Sequence, residues 1–130
     1  MPISFYRYQK ANIYVADYQD HIESGELCDN MSAVLQHLDC AEGPLHFIAD
    51  WRRADIYPIN FDMISLVSKV VRHANMGEIV VIGMNPALQF WANIFKSMIG
   101  LHYQTADSIE AALTKITEQH TQLAAPSPIS

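Results

Sequence analysis

The run EIVVIG, from Glu78 to Gly83, narrows the possible folds more than any other stretch of this chain. Its β-branched residues favour a strand. Its apolar residues are continuous rather than alternating, which indicates a strand covered on both faces. Asn85 and Pro86 follow it, and they predict a helix start, because asparagine can cap a helix and proline tolerates the first helical position. We therefore expect a central strand that leads directly into a helix.

Strand-like and helical patterns alternate along the rest of the chain. Two aromatic and β-branched stretches separated by a short polar break predict a hairpin, and two short apolar runs predict further strands. These four are Ile3 to Gln9, Ile13 to Tyr18, Leu45 to Asp50 and Leu101 to Thr105. Amphipathic periodicity and capping residues predict four helices. They are Glu23 to Leu38, Asn60 to Ala74, Pro86 to Ile99 and Asp107 to Thr117.

A hairpin followed by alternating helix and strand indicates an α/β fold with a mixed, mostly parallel sheet of about five strands. The 130 residues fit one domain. We assign residues 1–117 to that domain. Residues 118–130 are expected to form a mobile tail, because the closing stretch has two prolines and no apolar period.

Composition excludes several classes of function. The formal charge is −6 and the eight lysines and arginines are scattered, which argues against nucleic acid as a partner. The first ten residues, MPISFYRYQK, alternate apolar and polar residues and do not resemble a secretory signal. The longest apolar run is far too short for a membrane span. We therefore expect a cytoplasmic protein without membrane insertion.

The usual signs of catalysis and of metal or cofactor binding do not appear in the sequence. The six histidines lack the close pair spacings of metal ligands. No glycine-rich phosphate loop occurs, and no nucleophile, base and orienting group can be named together. An enzyme hypothesis would rest on Asp50, Asp55 and His102, which no spacing rule connects. We expect no catalysis, no metal and no cofactor.

Two predicted loops lie at the carboxyl ends of strands, where open α/β sheets bind their ligands. They are Asp50 to Asn60 and Met84 to Asn85. Alternatively, the charged residues of the first loop, Asp55 included, pair with each other or with water, while its aromatic residues and Pro58 cap the core. The candidate binding residues in the two loops are Asp50, Trp51, Arg52, Arg53, Tyr57, Asn60 and Asn85.

The predicted helix Pro86 to Ile99 is unusually apolar. Its apolar residues cover an arc of about 200°, whereas a surface helix needs roughly 100°. A helical wheel places Trp91, Phe95 and Met98 on the side opposite the polar residues, which we expect to face the core. It places Phe90 and Ile94 at the margin between the apolar and polar sides. Phe90 and Ile94 are therefore candidate contacts for a protein partner or a second copy of the chain. A helix wedged between the sheet and its neighbours would show the same pattern.

Three segments resemble the STAS or SpoIIAA-like domains, the anti-sigma-factor antagonist family, and their bacterial relatives. They are LHFIADWRRADI, EIVVIGMN and MIGLHYQTADSIEAAL. The resemblance implies a SpoIIAA-like fold and a non-enzymatic domain that docks a partner through the loop and helix after the first of these strands. In many members a phosphorylatable serine or threonine at that helix start controls docking, and a phosphate there adds about −1.5 to −2 charge.

This chain departs from the family at the phosphorylation site. No serine or threonine occurs from Asp50 to Met63, so the usual switch is missing. If phosphorylation controls docking in this chain, it would have to occur at another nearby hydroxyl, and Ser65 and Tyr57 are the candidates.

Three hypotheses about function remain open from the sequence alone. The first is a regulatory or protein-interaction domain that binds a protein partner or itself as a homodimer. The second is a binding domain for a lipophilic or nucleotide-like small molecule, in which the apolar helix lines a pocket and Arg52, Arg53 and Asn85 supply polar groups. The third and weakest is an enzyme. A pocket beside the Asp50 to Asn60 segment with a molecule bound in it would favour the second hypothesis, and an apolar patch buried against a second copy would favour the first.

Overall fold

A computed structural model describes residues 3–8, 12–21, 24–56, 61–83 and 86–123. Within these ranges the chain forms five strands and four helices that alternate after the first two strands. In chain order they are β1 (Ile3–Arg7), β2 (Ile13–His21), α1 (Ser24–Cys40), β3 (Leu45–Ile56), α2 (Phe61–Val71), β4 (Met76–Ile82), α3 (Pro86–Ile99), β5 (Gln104–Ala106) and α4 (Ile109–Leu123).

The five strands form one sheet in the order β1-β2-β3-β4-β5. β1 is antiparallel to β2, and the remaining neighbours are parallel. β4 lies between β3 and β5, and its Val80 and Ile82 are completely buried. The predicted α/β class, the mostly parallel sheet and the central position of EIVVIG are therefore confirmed.

The strand order determines which helices share a face of the sheet. Each parallel strand lies beside the previous one, and right-handed crossovers then carry α1, α2 and α3 over the same face. We call this the three-helix face. α4 follows the last strand and packs on the other side against β3, β4 and β5. We call that side the α4 face.

β3 is longer than predicted, and this corrects the interpretation of Asp50 to Asn60 as a loop. The strand continues to Ile56 because β2 also continues, to His21, and pairs with it as far as His21↔Ile56. The pairing has two irregularities, between Asp17 and Gln19 and between Asp20 and His21, and β3 has one extra residue at each. Such bulges redirect side chains at the end of a strand.

Other boundaries differ from the prediction by a few residues. β5 begins at Gln104 rather than Leu101. Ser108, not Asp107, caps α4, since its Oγ accepts the backbone N–H of Ala111 at 3.1 Å. α4 continues to Leu123, so the first part of the predicted tail is helical.

The chain leaves β4 through Gly83, a position that requires glycine. Its φ of 84° lies in the left-handed region, and a Cβ there would come within 2.7 Å of the Arg52 backbone nitrogen. This close approach carries the chain past β3 toward α3.

Candidate functional site

Asp50 and Arg52 form a bidentate ion pair in the extended part of β3. Arg52 Nε donates to Asp50 Oδ1 at 3.0 Å, and Nη2 donates to Oδ2 at 2.8 Å. The Arg52 backbone N–H also donates to Oδ1, at 3.1 Å. Asp50 is only 4% exposed. The Asp50 carboxylate is therefore paired with Arg52 of the same strand. This agrees with the alternative interpretation, in which the charged residues of this segment pair with each other.

Arg53 pairs with β2 rather than with Asp50. Its Nη1 donates to Asp17 Oδ2 at 3.3 Å, and the same oxygen accepts Gln19 Nε2 at 3.1 Å. Asp17 Oδ1 is buried and has no hydrogen-bond partner among the described residues. The contact between Arg53 and Asp17 depends on the bulge in β3. The bulge shifts the register so that Arg53 lies opposite Gln19, two residues after Asp17. Asp17, Asp50, Arg52 and Arg53 are called the ion-pair cluster below.

The pKa of the Asp50 carboxyl reflects both its burial and its pairing with Arg52. Burial alone would raise the pKa of the Asp50 carboxyl, but the hydrogen bonds and the charge of Arg52 outweigh it and hold that pKa below its ordinary value. The Tyr6 hydroxyl lies near the cluster on β1. Its pKa is raised by burial and further by the negative charges of Asp17 and Asp50.

The sheet separates the ion-pair cluster from Trp51. Asp50 alternates with Ile48, which belongs to the core under α4, so the Asp50–Arg52 pair lies on the α4 face. Trp51 packs with Ala16, Tyr18 and Leu27 on the three-helix face. The predicted binding residues that the structure describes therefore lie on both faces of the sheet.

Trp51 and Tyr18 form a stacked aromatic pair on the three-helix face. Their ring centroids are 3.9 Å apart and their planes differ by 7°. The Tyr18 hydroxyl donates to Asn30 Oδ1 of α1 at 2.9 Å, which satisfies both buried groups. Burial raises the pKa of Tyr18, so this hydroxyl stays a donor. The pair joins the neighbouring strands β2 and β3 and lines part of the three-helix face.

A cavity of about 180 Å³ lies between this face of the sheet and the three helices. No charged side chain among the described residues lines it. Its walls include Ala16, Tyr18, Phe47, Ala49, Trp51, Ile79 and Val81 from the sheet, Leu27, Asn30, Met31 and Val34 from α1, Val67, Val70 and Val71 from α2, Trp91, Ala92 and Phe95 from α3, and Leu101 and Tyr103 after it. Trp51 and Trp91 are the only two tryptophans in the sequence.

α3 contributes one wall of the cavity and an exposed apolar edge. Phe95 is buried and Trp91 is half-buried, whereas Phe90 is 60% exposed and Ile94 is half-buried. The prediction that Met98 lies in the core is wrong, because it is 55% exposed. Met98 lies in the last turn of α3, and beyond β4 the sheet offers only the three-residue β5 to cover it.

Three predicted binding residues, Tyr57, Asn60 and Asn85, lie outside the described residues. Sequence reasoning missed most of the cavity wall, including Tyr18, Leu101 and Tyr103. The alternation of Tyr14, Ala16 and Tyr18 along β2 was the available signal, because alternate residues of a strand share a face.

Neither a metal site nor a membrane span is found in the part of the chain that the structure describes. Among those residues no three histidine, cysteine, aspartate or glutamate side chains are grouped to hold a metal ion. None of the described helices combines the length and apolar character needed to cross a membrane.

Comparison with known proteins identifies the fold. No family model matches the chain, and no curated protein matches it. Six solved chains match, and one of them is an uncharacterised protein of the DUF3478 family from Shewanella loihica PV-4, described as having a SpoIIAA-like fold. The alignment has a TM-score of 0.59 and 13% identity, and it covers 88% of this chain and 91% of that one.

The chain therefore has a SpoIIAA-like fold, and the resemblance seen in the sequence is confirmed at that level. At 13% identity the structural similarity shows the fold and carries no information about function.

Proposed function

We propose that this domain is a non-catalytic binding module that takes an apolar small molecule into the cavity on the three-helix face. The observation that carries the proposal is the cavity itself, about 180 Å³ in volume and lined without a charged side chain among the described residues. An apolar cavity of roughly 150 Å³ is known to stay dry and to bind benzene. The space here accommodates a ring or a short alkyl chain.

The position of the cavity also supports ligand binding. It is bordered by Trp51, which directly follows the last pair of β3 with β4 (Asp50↔Ile82), and by Trp91 and Phe95 of the helix that follows β4. Open α/β sheets bind ligands at the carboxyl ends of their strands. Among the sequence hypotheses, this cavity supports the small-molecule binder, but Arg52 and Arg53, which were expected to supply its polar groups, lie on the other face of the sheet.

Among the described residues no charged side chain, histidine, cysteine, serine or threonine lines the cavity, and this supports a non-catalytic role. A reaction would need an acid, a base or a nucleophile that reaches the ligand. The carboxylates of Asp17 and Asp50 belong to the ion-pair cluster, on the other face of the sheet. The proposed module also works without the hydroxyl switch of the STAS domains, since residues 50–63 contain no serine or threonine.

Both tryptophans line the cavity, so their fluorescence measures its occupancy. An uncharged eight-carbon alcohol with bromine at its far end should quench them saturably, because bromine quenches tryptophan on contact. Ala92→Leu fills the cavity wall and should weaken this binding about tenfold or more. Ala87→Leu, at an exposed position of the same helix, is the matched control and should bind like the wild type.

Unsaturable quenching of the wild-type protein, or equal quenching of both leucine variants, would contradict the proposal.

A second candidate function, docking of a protein partner or a second copy, is favoured by the exposed edge of α3. Phe90 and Met98 are 60% and 55% exposed, and Ile94 lies between them at helical spacing. Exposed aromatic side chains of this kind often anchor interfaces. Phe90→Asp should weaken association and leave the fold intact, whereas Trp91→Asp should unfold the domain by placing a charge against the cavity.

Sedimentation and thermal melting of both aspartate variants test the docking hypothesis. A monomeric wild type without a detectable partner, or a Phe90→Asp variant that unfolds as readily as Trp91→Asp, contradicts it.

A further inference from the structure

A second, polar groove adjoins the apolar cavity at the end of α3. Its volume is about 440 Å³, and it lies between α3, β5 and α4. Leu101 and Tyr103 line both the groove and the apolar cavity, so these two side chains form the partition between them. Both are half-buried, in the segment that joins α3 to β5. A molecule bound across this partition would have one end in each space.

The groove carries positive charge in a chain whose formal charge is −6. Lys96 of α3, Lys115 of α4 and His102 line it, and no carboxylate among the described residues does. Gln104, which also lines the groove, donates a hydrogen bond from Nε2 to Glu78 Oε1 at 3.0 Å. Two lysines and an imidazole are donors suited to an anion.

The two lysines differ from the arginines of the ion-pair cluster in their contacts with carboxylates. Arg52 and Arg53 contact carboxylates at 2.8 and 3.3 Å. Among the described residues neither Lys96 nor Lys115 forms an ion pair. Lys115 Nζ donates to the backbone carbonyl of Thr105, a neutral acceptor that does not cancel its charge.

The partition is held by α3. Gln89 Nε2 donates to the Tyr103 hydroxyl at 3.3 Å, and it also donates to Asn93 Oδ1 at 3.0 Å. The Tyr103 ring therefore presents its apolar body to the cavity while its hydroxyl remains on the polar side of α3. This arrangement suits a ligand whose character changes from apolar to polar at the same point.

We propose that the ligand is an anionic amphiphile, with its alkyl or aromatic part in the cavity beside Trp51 and Trp91 and its anionic group in the groove between Lys96 and Lys115. This inference rests on the proposed function and adds the charge of the ligand to it. Together the two spaces fall within the roughly 300–1,000 Å³ typical of ligand pockets.

The test compares two ligands that differ only in charge. One is the bromine-bearing eight-carbon alcohol, and the other is the carboxylic acid of the same length with bromine at the same end, ionised at neutral pH. Tryptophan quenching should show tighter binding of the carboxylate, by roughly two- to fivefold for each lysine engaged. Added salt should reduce this preference.

Lysine variants then locate the anion. Lys96→Met and Lys115→Met should each weaken binding of the carboxylate and leave binding of the alcohol unchanged. Lys115→Arg keeps the charge and should keep the preference. Lys69→Met removes an exposed lysine of α2, far along the chain from the groove, and should change neither ligand.

Three results would overturn the inference. If the alcohol binds the wild type as tightly as the carboxylate, the proposed function stands and the anion site does not. If Lys96→Met or Lys115→Met weakens both ligands equally, the lysines act on the fold rather than on the charge. If neither ligand quenches the tryptophans saturably, the proposed function itself fails and this inference fails with it.

Discussion

The two faces of the sheet are packed differently, although the same strands build both. On the α4 face Val15, Ile48, Val80 and Ile82 meet Ala112 and Ile116, and each of these six side chains is at most 2% exposed. On the three-helix face Leu38 is fully buried, but the other buried residues retain 3–9% exposure, and the face holds a cavity of about 180 Å³. One helix thus packs closely against the strands beneath it, mainly β3, β4 and β5, whereas three helices leave a space on the other face.

This difference suggests a division of labour. Close packing makes the α4 face the main source of stability, since lost contacts in a dense core are costly. The three-helix face is less closely packed, because it contains a cavity. Matched substitutions on opposite faces of the sheet distinguish the role in stability from the role in holding a cavity.

The largest effect is expected for two isoleucines of β4 that point to opposite faces. Ile82→Ala empties a fully buried position on the α4 face and should cost about 2–5 kcal/mol of unfolding free energy. Ile79→Ala widens a cavity that already exists and should cost at least about 1 kcal/mol less. Urea denaturation of both variants measures the difference, and equal losses would show that the faces are equally packed.

Two buried alanines allow the opposite experiment, in which volume is added. Ala112→Leu overfills the α4 face, where Ala112 has no exposure, and should cost about 1–3 kcal/mol. Ala92→Leu extends into the cavity and should leave the unfolding free energy within about 0.5 kcal/mol or raise it. Thermal melts without ligand provide the comparison. A larger loss for Ala92→Leu than for Ala112→Leu would reverse the assignment of the faces.

A smaller effect is expected from the ion pair between Asp50 and Arg52 in β3. The folded-state pKa of Asp50 lies below its ordinary value of 3.8. Its contribution to stability is therefore fully present above the unfolded-state pKa and is lost as the pH falls through the folded-state pKa. Asp50→Asn should cost on the order of 1 kcal/mol at neutral pH. Urea midpoints of variant and wild type should converge in acid, and a gap that stays constant with pH would argue against the ion pair.

The fold was predictable because its signals are local. The continuous apolar run of β4 and the amphipathic periods of the helices each lie within one stretch of sequence, and together they indicate a helix-covered parallel sheet. The extension of β3 to Ile56 was not predictable from its composition. It depends on ladder pairing with residues 19–21 of β2, a contact between distant parts of the chain.

The site was less predictable than the fold for the same reason. The helical wheel placed Phe90 at an exposed margin, but it also placed Met98 in the core, because a wheel does not show where the sheet under a helix ends. The cavity depends on the spacing between three helices and the sheet, and no single segment encodes that spacing.

The most direct test of the central claim is a crystal structure of the wild-type protein under xenon pressure. Xenon enters apolar cavities that are large enough and forms no directional bonds, so it reports packing without a choice of ligand. We predict a strong xenon peak among Trp51, Val81 and Phe95 on the three-helix face, and none between the sheet and α4. A peak on the α4 face, or no peak beside Trp51, would contradict the account.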